Sequence, residues 1–228
     1  MSSFNECGFS RGDKGITTNA GVKGGRKNLT IRMNRESYWR DLLDGLADLL
    51  GIAEIGRLHH ARLDARIAPL NQTVLRHLPI ALGFASVDTA PICRALNTLM
   101  PGLHWRQNSS YAGAEFLDGY AYCELLGPRG HRVSRELALG LLLLAPNVTY
   151  PEHVHPAAEI YAVIAGHAEW RQGNRAWSTR NPGELVRHAS MEPHAMRTSA
   201  EPLLAAYLWH DHLHEGARLV DEWPITEE

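Results

Sequence analysis

Cysteine is scarce and scattered in this chain: Cys7, Cys93 and Cys123 are the only three in 228 residues. No CxxC pair places two thiols at one ion, so neither a thiolate zinc knot nor a disulfide framework is indicated. Such usage fits a reducing compartment, and the chain reads as cytoplasmic. An excess of one charge sign is also lacking. Lys and Arg total 23 against 25 Asp and Glu, a net charge of -2, which leaves no electrostatic footprint for a phosphate backbone or an anionic lipid surface. Nucleic acid and membrane are therefore not expected partners. No apolar run reaches the roughly 18 residues of a membrane span. The N-terminal "MSSFNECGFSRGDKGITTNAGVKGGRKN" has no apolar core of a signal peptide.

What is there is a chain with 44% hydrophobic residues, enough for one globular unit, or a compact domain with a helical extension, to bury a real core. Histidine is the unusual component. Eight of thirteen (His153, His155, His167, His188, His194, His210, His212 and His214) fall in the last third, and chemistry is expected there.

Three regions follow from texture. Residues 1–33 are rich in Gly, Ser, Asn and Lys without periodicity and read as a disordered leader. Residues 34–102 read as helical. "NRESYWRDLLDGLADLLG" spaces Trp39, Leu42, Leu43, Leu46, Leu49 and Leu50 as one helix face, with Asn34 as N-cap and Gly51 as stop. Further helices are expected over 53–68, 71–84 and 89–99, the last ended by Pro101-Gly102. Residues 103–228 change to short apolar or alternating runs divided by Gly, Pro and Asn, among them "GYAYCELLG", "ELALGLLLLAP", "EIYAVIAG" and "PLLAAYLW". These read as strands of a sandwich or barrel. The helices are free to cap the barrel, cover an edge strand or make a homodimer contact.

Within "YPEHVHPAAEIYAVIAG", strand alternation puts His153 and His155 on one face, and Pro156-Ala157-Ala158 can turn the chain so that Glu159 opens the next strand. There Glu159, Tyr161 and Val163 share a face. Two imidazoles, a carboxylate and a phenol cannot line an apolar barrel without partners, because an unpaired buried charge costs several kcal/mol. A metal ion is the common partner. His194, directly after Pro193 in "NPGELVRHASMEPHAM", offers a further nitrogen from a separate strand. Three neutral imidazoles and one carboxylate suit one divalent transition metal ion (Zn, Fe, Mn or Ni) with coordination positions left open, which points to catalysis.

The pattern HxHxxxE, six residues, then Gly, followed some forty residues on by Pro-His, resembles the two metal motifs of the cupin superfamily over about residues 145–200. The second motif departs from the usual spacing, because Gly183 lies far ahead of His194 and no Asn follows. That resemblance implies a mainly β fold, a double-stranded β-helix or jelly-roll barrel, with a helical N-terminal extension. Tyr150 before the HxH, the ExY of Glu159 and Tyr161, "PHAMRT" around His194 and Trp209 in "AAYLWH" narrow it. Together they resemble the bacterial cupin-type dimethylsulfoniopropionate (DMSP) lyases, and the length and helical part are most similar to the DddL type.

Membership of that family would imply a carbon–sulfur lyase whose small-molecule substrate, DMSP, is cleaved to dimethyl sulfide and acrylate by β-elimination. A metal bound to the substrate carboxylate would stabilise charge developing as the adjacent carbon loses its proton. Tyr161, beside the ligand Glu159, is then the choice for general base, and Tyr150 is a second candidate. The sulfonium calls for ring faces, which Trp209, Tyr207, Tyr120 and Tyr122 can supply. His188 either lines the pocket as a substrate contact or fills a strand position. Two competing readings use the same ligands: a cupin Fe(II) dioxygenase of a small thiol or carboxylate, and a non-catalytic ligand-sensing cupin with a closed metal sphere. His210, His212 and His214 read as exposed polar residues at a strand end, and Cys123 as a small buried hydrophobe.

Overall fold

The computed structural model describes residues 35–112 and 114–220; the expected leader at 1–33 and the expected N-cap Asn34 lie outside them. Helix α1, Arg35–Leu50, buries Trp39, Leu42, Leu43, Leu46, Ala47 and Leu50, the i, i+3, i+4, i+7 stripe of an amphipathic helix. It stops as expected. Gly51 takes φ +71, Gly51 N–H donates to Asp48 O and Ile52 N–H to Ala47 O. These are the paired bonds of a Schellman C-cap, which needs a left-handed residue at that point.

The helix expected over 53–68 is much shorter. Helix α2 covers Ala53–Arg57, and a 3-10 turn follows at Leu58–His60. Beyond it the backbone bonds elsewhere: Asp64 N–H donates to His131 O, Val133 N–H donates to Arg62 O, and Leu63 bridges Arg132. Asp64 also folds back to accept from Arg66 N–H at 3.0 Å, the local side-chain bonding that competes with helix. The helix expected over 71–84 is divided into a 3-10 segment, Thr73–His77, and α3, Leu78–Leu82. Pro79 has no N–H and its ring clashes with a preceding turn, so it is accommodated only where a helix begins. Helix α4, Ala90–Leu99, falls where expected and buries Ile92, Cys93, Ala95, Leu96 and Leu99.

Eleven strands follow among the described residues. They are β1 Tyr120–Gly127, β2 Arg132–Val133, β3 Leu137–Leu144, β4 Thr149–Val154, β5 Ala158–Ala165, β6 Ala168–Gln172, β7 Ser178–Arg180, β8 Leu185–His188, β9 His194–Arg197, β10 Leu203–His210 and β11 Arg218–Leu219. One sheet has the order β2-β1-β3-β10-β5-β8 and the other β11-β4-β9-β6-β7. Every pairing is antiparallel except β1 with β2.

The larger sheet is buried on both faces. Leu139, Leu141, Leu143, Ala162, Ile164, Ala206 and Leu208 join the apolar faces of α1 and α4 in one core. Leu142, Leu144, Tyr161, Val163 and Tyr207 turn the other way and join Tyr150, Trp170 and Met196 of the smaller sheet in a second. The helices thus cover a sheet face rather than an edge. Double burial explains why β3 reads LALGLLLL with no polar alternation. Its one gap is informative: a Cβ on Gly140 would come within 2.3 Å of Tyr207 Cζ, so the missing side chain makes room for that ring inside the barrel.

Candidate metal centre and active site

Four strands deliver the titratable cluster. His153 on β4 pairs directly with His194 on β9. Glu159 on β5 pairs with His188 on β8 and with Trp209 on β10. His155 follows the end of β4. All five titratable residues, His153, His155, Glu159, His188 and His194, are buried.

The imidazoles are oriented from behind. Nδ1 of His153 lies 2.9 Å from Pro151 O, that of His155 2.9 Å from Ala157 O, and that of His194 2.8 Å from Glu192 O. A carbonyl accepts only, so each Nδ1 carries a proton and each ring turns its Nε2 toward the site. Ligand atoms of His153, His155 and His194 lie within 4.8 Å of one another, as do those of Glu159, His188 and His194. Glu159 Oε2 is 3.0 Å from His155 Nε2 and 3.3 Å from His194 Nε2. The Nε2 atoms of His188 and His194 are buried without a hydrogen-bond partner. Three imidazoles whose back edges are tied to carbonyls, gathered around a buried carboxylate, are a donor set that fits a transition metal ion.

Protonation follows burial and neighbours. Burial, then His194, holds His153 well below the ordinary histidine value and takes His188 down to about 3. His155 differs: burial opposes its charge, but the Glu159 carboxylate outweighs burial and raises it. Burial likewise opposes charge on Glu159, and His155 and His194 overcome it, holding the carboxyl well below its usual range. Without a metal, then, His155 and Glu159 form a buried ion pair.

Around this centre lie the aromatics. Tyr161, one inward position beyond Glu159 on β5, is pushed well above the ordinary phenol range by burial and then by the Glu159 charge. Tyr150 stacks on His153 with ring centroids 4.1 Å apart, and its hydroxyl is 2.8 Å from that of Tyr111. It backs the His153 ring and belongs to a phenol cluster with Tyr111 and Tyr120. Trp209 donates its indole N–H to Glu159 Oε1 at 2.6 Å, and its ring lies 4.4 Å from that of His155. One pocket is lined by Tyr120, Tyr122, Tyr150, Tyr161, Tyr207 and Trp209 together with His153, His155 and Glu159.

That pocket also receives residues not singled out from sequence: Asn108, Glu124 and Arg129. A signal for Glu124 existed, because it continues the alternation of Tyr120 and Tyr122 along one face of β1. Arg129 and Asn108 sit outside the strands and carried none. Cys123 points away into the helix-covered core, where burial raises its thiol to about 12. His212 and His214 are exposed beyond β10, as expected, and His210 at its end is half-buried.

A family model described as DMSP lyase matches residues 52–205. The chain belongs to the DMSP lyase family. It is 39% identical over 112 residues to the DMSP lyase DddQ of Ruegeria pomeroyi, and 36% identical over 144 residues to a putative DMSP lyase DddL of Cereibacter sphaeroides. Those matches cover 48% and 62% of this DMSP lyase family member, which spans 55% and 60% of the two relatives. The crystal structure of the Ruegeria pomeroyi DddQ superposes with a TM-score of 0.71 at 27% identity, covering 84% of this chain and 99% of that one. The mainly β, two-sheet architecture is therefore shared with the DMSP lyase DddQ, and among the described residues no helix is long and apolar enough to cross a membrane.

Proposed function

We propose that this chain is a metal-dependent lyase that cleaves DMSP to dimethyl sulfide and acrylate. The observation that carries the reading is the placement of the Tyr161 phenol on the inner face of β5 beside Glu159, in the pocket that His153 and His155 also line. His153, His155, Glu159 and His194 would hold the ion, with the orphaned Nε2 of His188 an added donor on the β8 side. A divalent ion there supplies positive charge that offsets Glu159, attracts a carboxylate and favours the phenolate form of a nearby tyrosine.

The chain's own groups do the rest. Tyr161 oxygen takes the proton from the carbon next to the substrate carboxylate, and the electron pair left behind becomes the carbon–carbon double bond. The bond to sulfur breaks, dimethyl sulfide leaves with its electron pair, and the proton stays on Tyr161 until it passes to solvent. In the metal-free chain burial and Glu159 oppose a Tyr161 phenolate, so this base works only with compensating charge in the site. Trp209 fixes one Glu159 oxygen and leaves the other for the ion. Tyr150 holds the His153 ring by stacking and serves as the second candidate base. The substrate would sit among Trp209, Tyr207 and Tyr122, and His188, expected from sequence as a substrate contact, does not line that pocket. Headspace measurement of dimethyl sulfide from DMSP, with the chain loaded in turn with Zn, Fe, Mn and Ni, tests the proposal. Sulfide release with at least one ion and its loss with chelator are expected, and no release with any ion refutes it.

A further inference from the structure

The metal centre occupies one side of the pocket, and a second carboxylate lines the same pocket. Glu124 shares the inward face of β1 with Tyr120 and Tyr122 and is only 3% exposed. Cross-strand register places it in a row running Glu124, Gly140, Tyr207, Tyr161 over β1, β3, β10 and β5. Because Gly140 has no side chain, the Tyr207 ring lies over it, in the gap between Glu124 and Tyr161. Tyr207 stands edge-on to Tyr122 and Trp209, with centroids 6.4 and 6.3 Å apart. The three rings form an aromatic corner beside the carboxylate. One face of Tyr122 is taken by the Arg106 guanidinium, 5.6 Å from its centroid.

Glu124 is only half committed. Oε1 accepts the Arg129 backbone N–H at 2.7 Å. The end of β1 is shaped around it: Gly127 takes φ +151, and a Cβ there would lie 2.3 Å from the same oxygen. Oε2 has a looser partner, the Arg129 side chain with Nε 3.8 Å away and half its surface in solvent. A nearly buried carboxylate whose Oε2 meets a half-exposed guanidinium at 3.8 Å, next to ring faces, suits a cation that has no N–H to donate.

We infer that Glu124 and the Tyr122–Tyr207–Trp209 corner bind the permethylated onium head of a small zwitterion whose carboxylate goes to the metal side, and that Arg129 is the counter-ion this head displaces. The inference rests on the lyase reading for its substrate, DMSP, but it specifies a ligand class, sulfonium or quaternary ammonium carboxylates, that can be probed without turnover. Glu124 is then a specificity residue, separate from the proton-transfer machinery.

The test is calorimetric, on the full-length chain loaded with zinc, with two probes that have no leaving group β to the carboxylate. One is 4-(trimethylammonio)butanoate and the other 5,5-dimethylhexanoate, the same shape without the charge. The wild type is expected to favour the cation by about tenfold or more, the change that one well-placed charge contact brings. Glu124→Gln keeps the acceptor for Arg129 N–H and should cut that preference to the remainder the rings supply, while leaving affinity for the neutral probe unchanged. Arg129→Gln, which keeps its backbone N–H, should tighten binding of the cation. Three results overturn the inference: a wild type that binds neither probe or does not prefer the cation, a folded Glu124→Gln chain that keeps the preference, or an Arg129→Gln chain that binds both probes more weakly. A wild type that prefers the cation yet releases no dimethyl sulfide from DMSP would refute the lyase reading alone.

Discussion

The six-stranded sheet has two covered faces of opposite character. Toward the helices, β1, β3, β5 and β10 present Ala121, Cys123, Leu125, Leu139, Leu141, Leu143, Ala162, Ile164, Ala206 and Leu208. Toward the smaller sheet the same strands present Tyr120, Tyr122, Glu124, Glu159, Tyr161, Tyr207 and Trp209. Since neighbouring residues on a strand point to opposite sides, β1, β5 and β10 each carry a pocket-lining group inward and an apolar group outward one residue away. The helix-covered leucines provide the stability that offsets buried carboxylates and imidazoles on the other side. Dry burial favours folding when the side chain is apolar; when it is polar, the same dryness shifts its pKa and demands a partner.

Single substitutions should separate the two faces. The largest effect is expected for His194→Ala, which removes the nitrogen common to both candidate ligand groups. Metal content by elemental analysis and sulfide release should fall by more than the roughly 100-fold typical of losing a mere supporting partner. Tyr161→Phe should lower kcat by about 10²- to 10⁴-fold, the range for a lost general base, with metal content and thermal midpoint close to wild type. If sulfide release survives Tyr161→Phe and fails in Tyr150→Phe, the base assignment moves to Tyr150.

On the opposite face, Leu141→Ala should cost about 2–5 kcal/mol in chemical denaturation and leave metal content and KM unchanged, because its neighbours are other apolar residues. A change in KM would show that the two faces are mechanically coupled. Trp209→Phe keeps the ring but removes the donor to Glu159 Oε1. A loss of about 10- to 100-fold in metal affinity or activity is expected, read by competition with a chromogenic chelator.

The smallest effect concerns pH. His131, below the helices, is lowered to about 4 by burial first and then by His104, and His188 to about 3. Unfolded, both titrate near 6.5, so between that value and their folded values the unfolded chain binds more protons than the folded one, and stability falls as pH falls. Each contributes at most about 1.4 kcal/mol per pH unit. His155, raised by Glu159 against the effect of burial, works in the opposite sense, its contribution being present below about 6.5 and lost as pH rises through its folded value. The metal-free chain should melt lower at pH 5 than at pH 7.5, and a higher midpoint at pH 5 would mean that the His155–Glu159 pair dominates.

How much was legible depended on how local each feature is. HxHxxxE spans a strand end, a turn and a strand start, so His153, His155 and Glu159 are set by period-2 alternation and one turn. Pro193-His194 was marked by its dipeptide. His188 stayed ambiguous because alternation assigns a side chain to a face but says nothing of height along the barrel; only its pairing with Glu159 places it at the centre. The helix expected over 53–68 ends early because Arg62 and Asp64 bond to Val133 and His131, partners that no window around residue 60 contains. Trp209 was noted for its ring, and its bond to Glu159 is a product of β10 pairing with β5.

The amino-acid sequence by itself determined the strand character of the C-terminal half, the extent of α1 and α4, and the residue types that make a metal ligand set, because each rests on periodicity, capping or spacing within a few residues. Only the tertiary structure decided that the helices cover one face of the larger sheet, that His188 lies against Glu159 and His194, and that Glu124 meets Tyr207 across Gly140. Those outcomes depend on which strands lie side by side and in what register, and register is set by contacts between segments far apart in the chain.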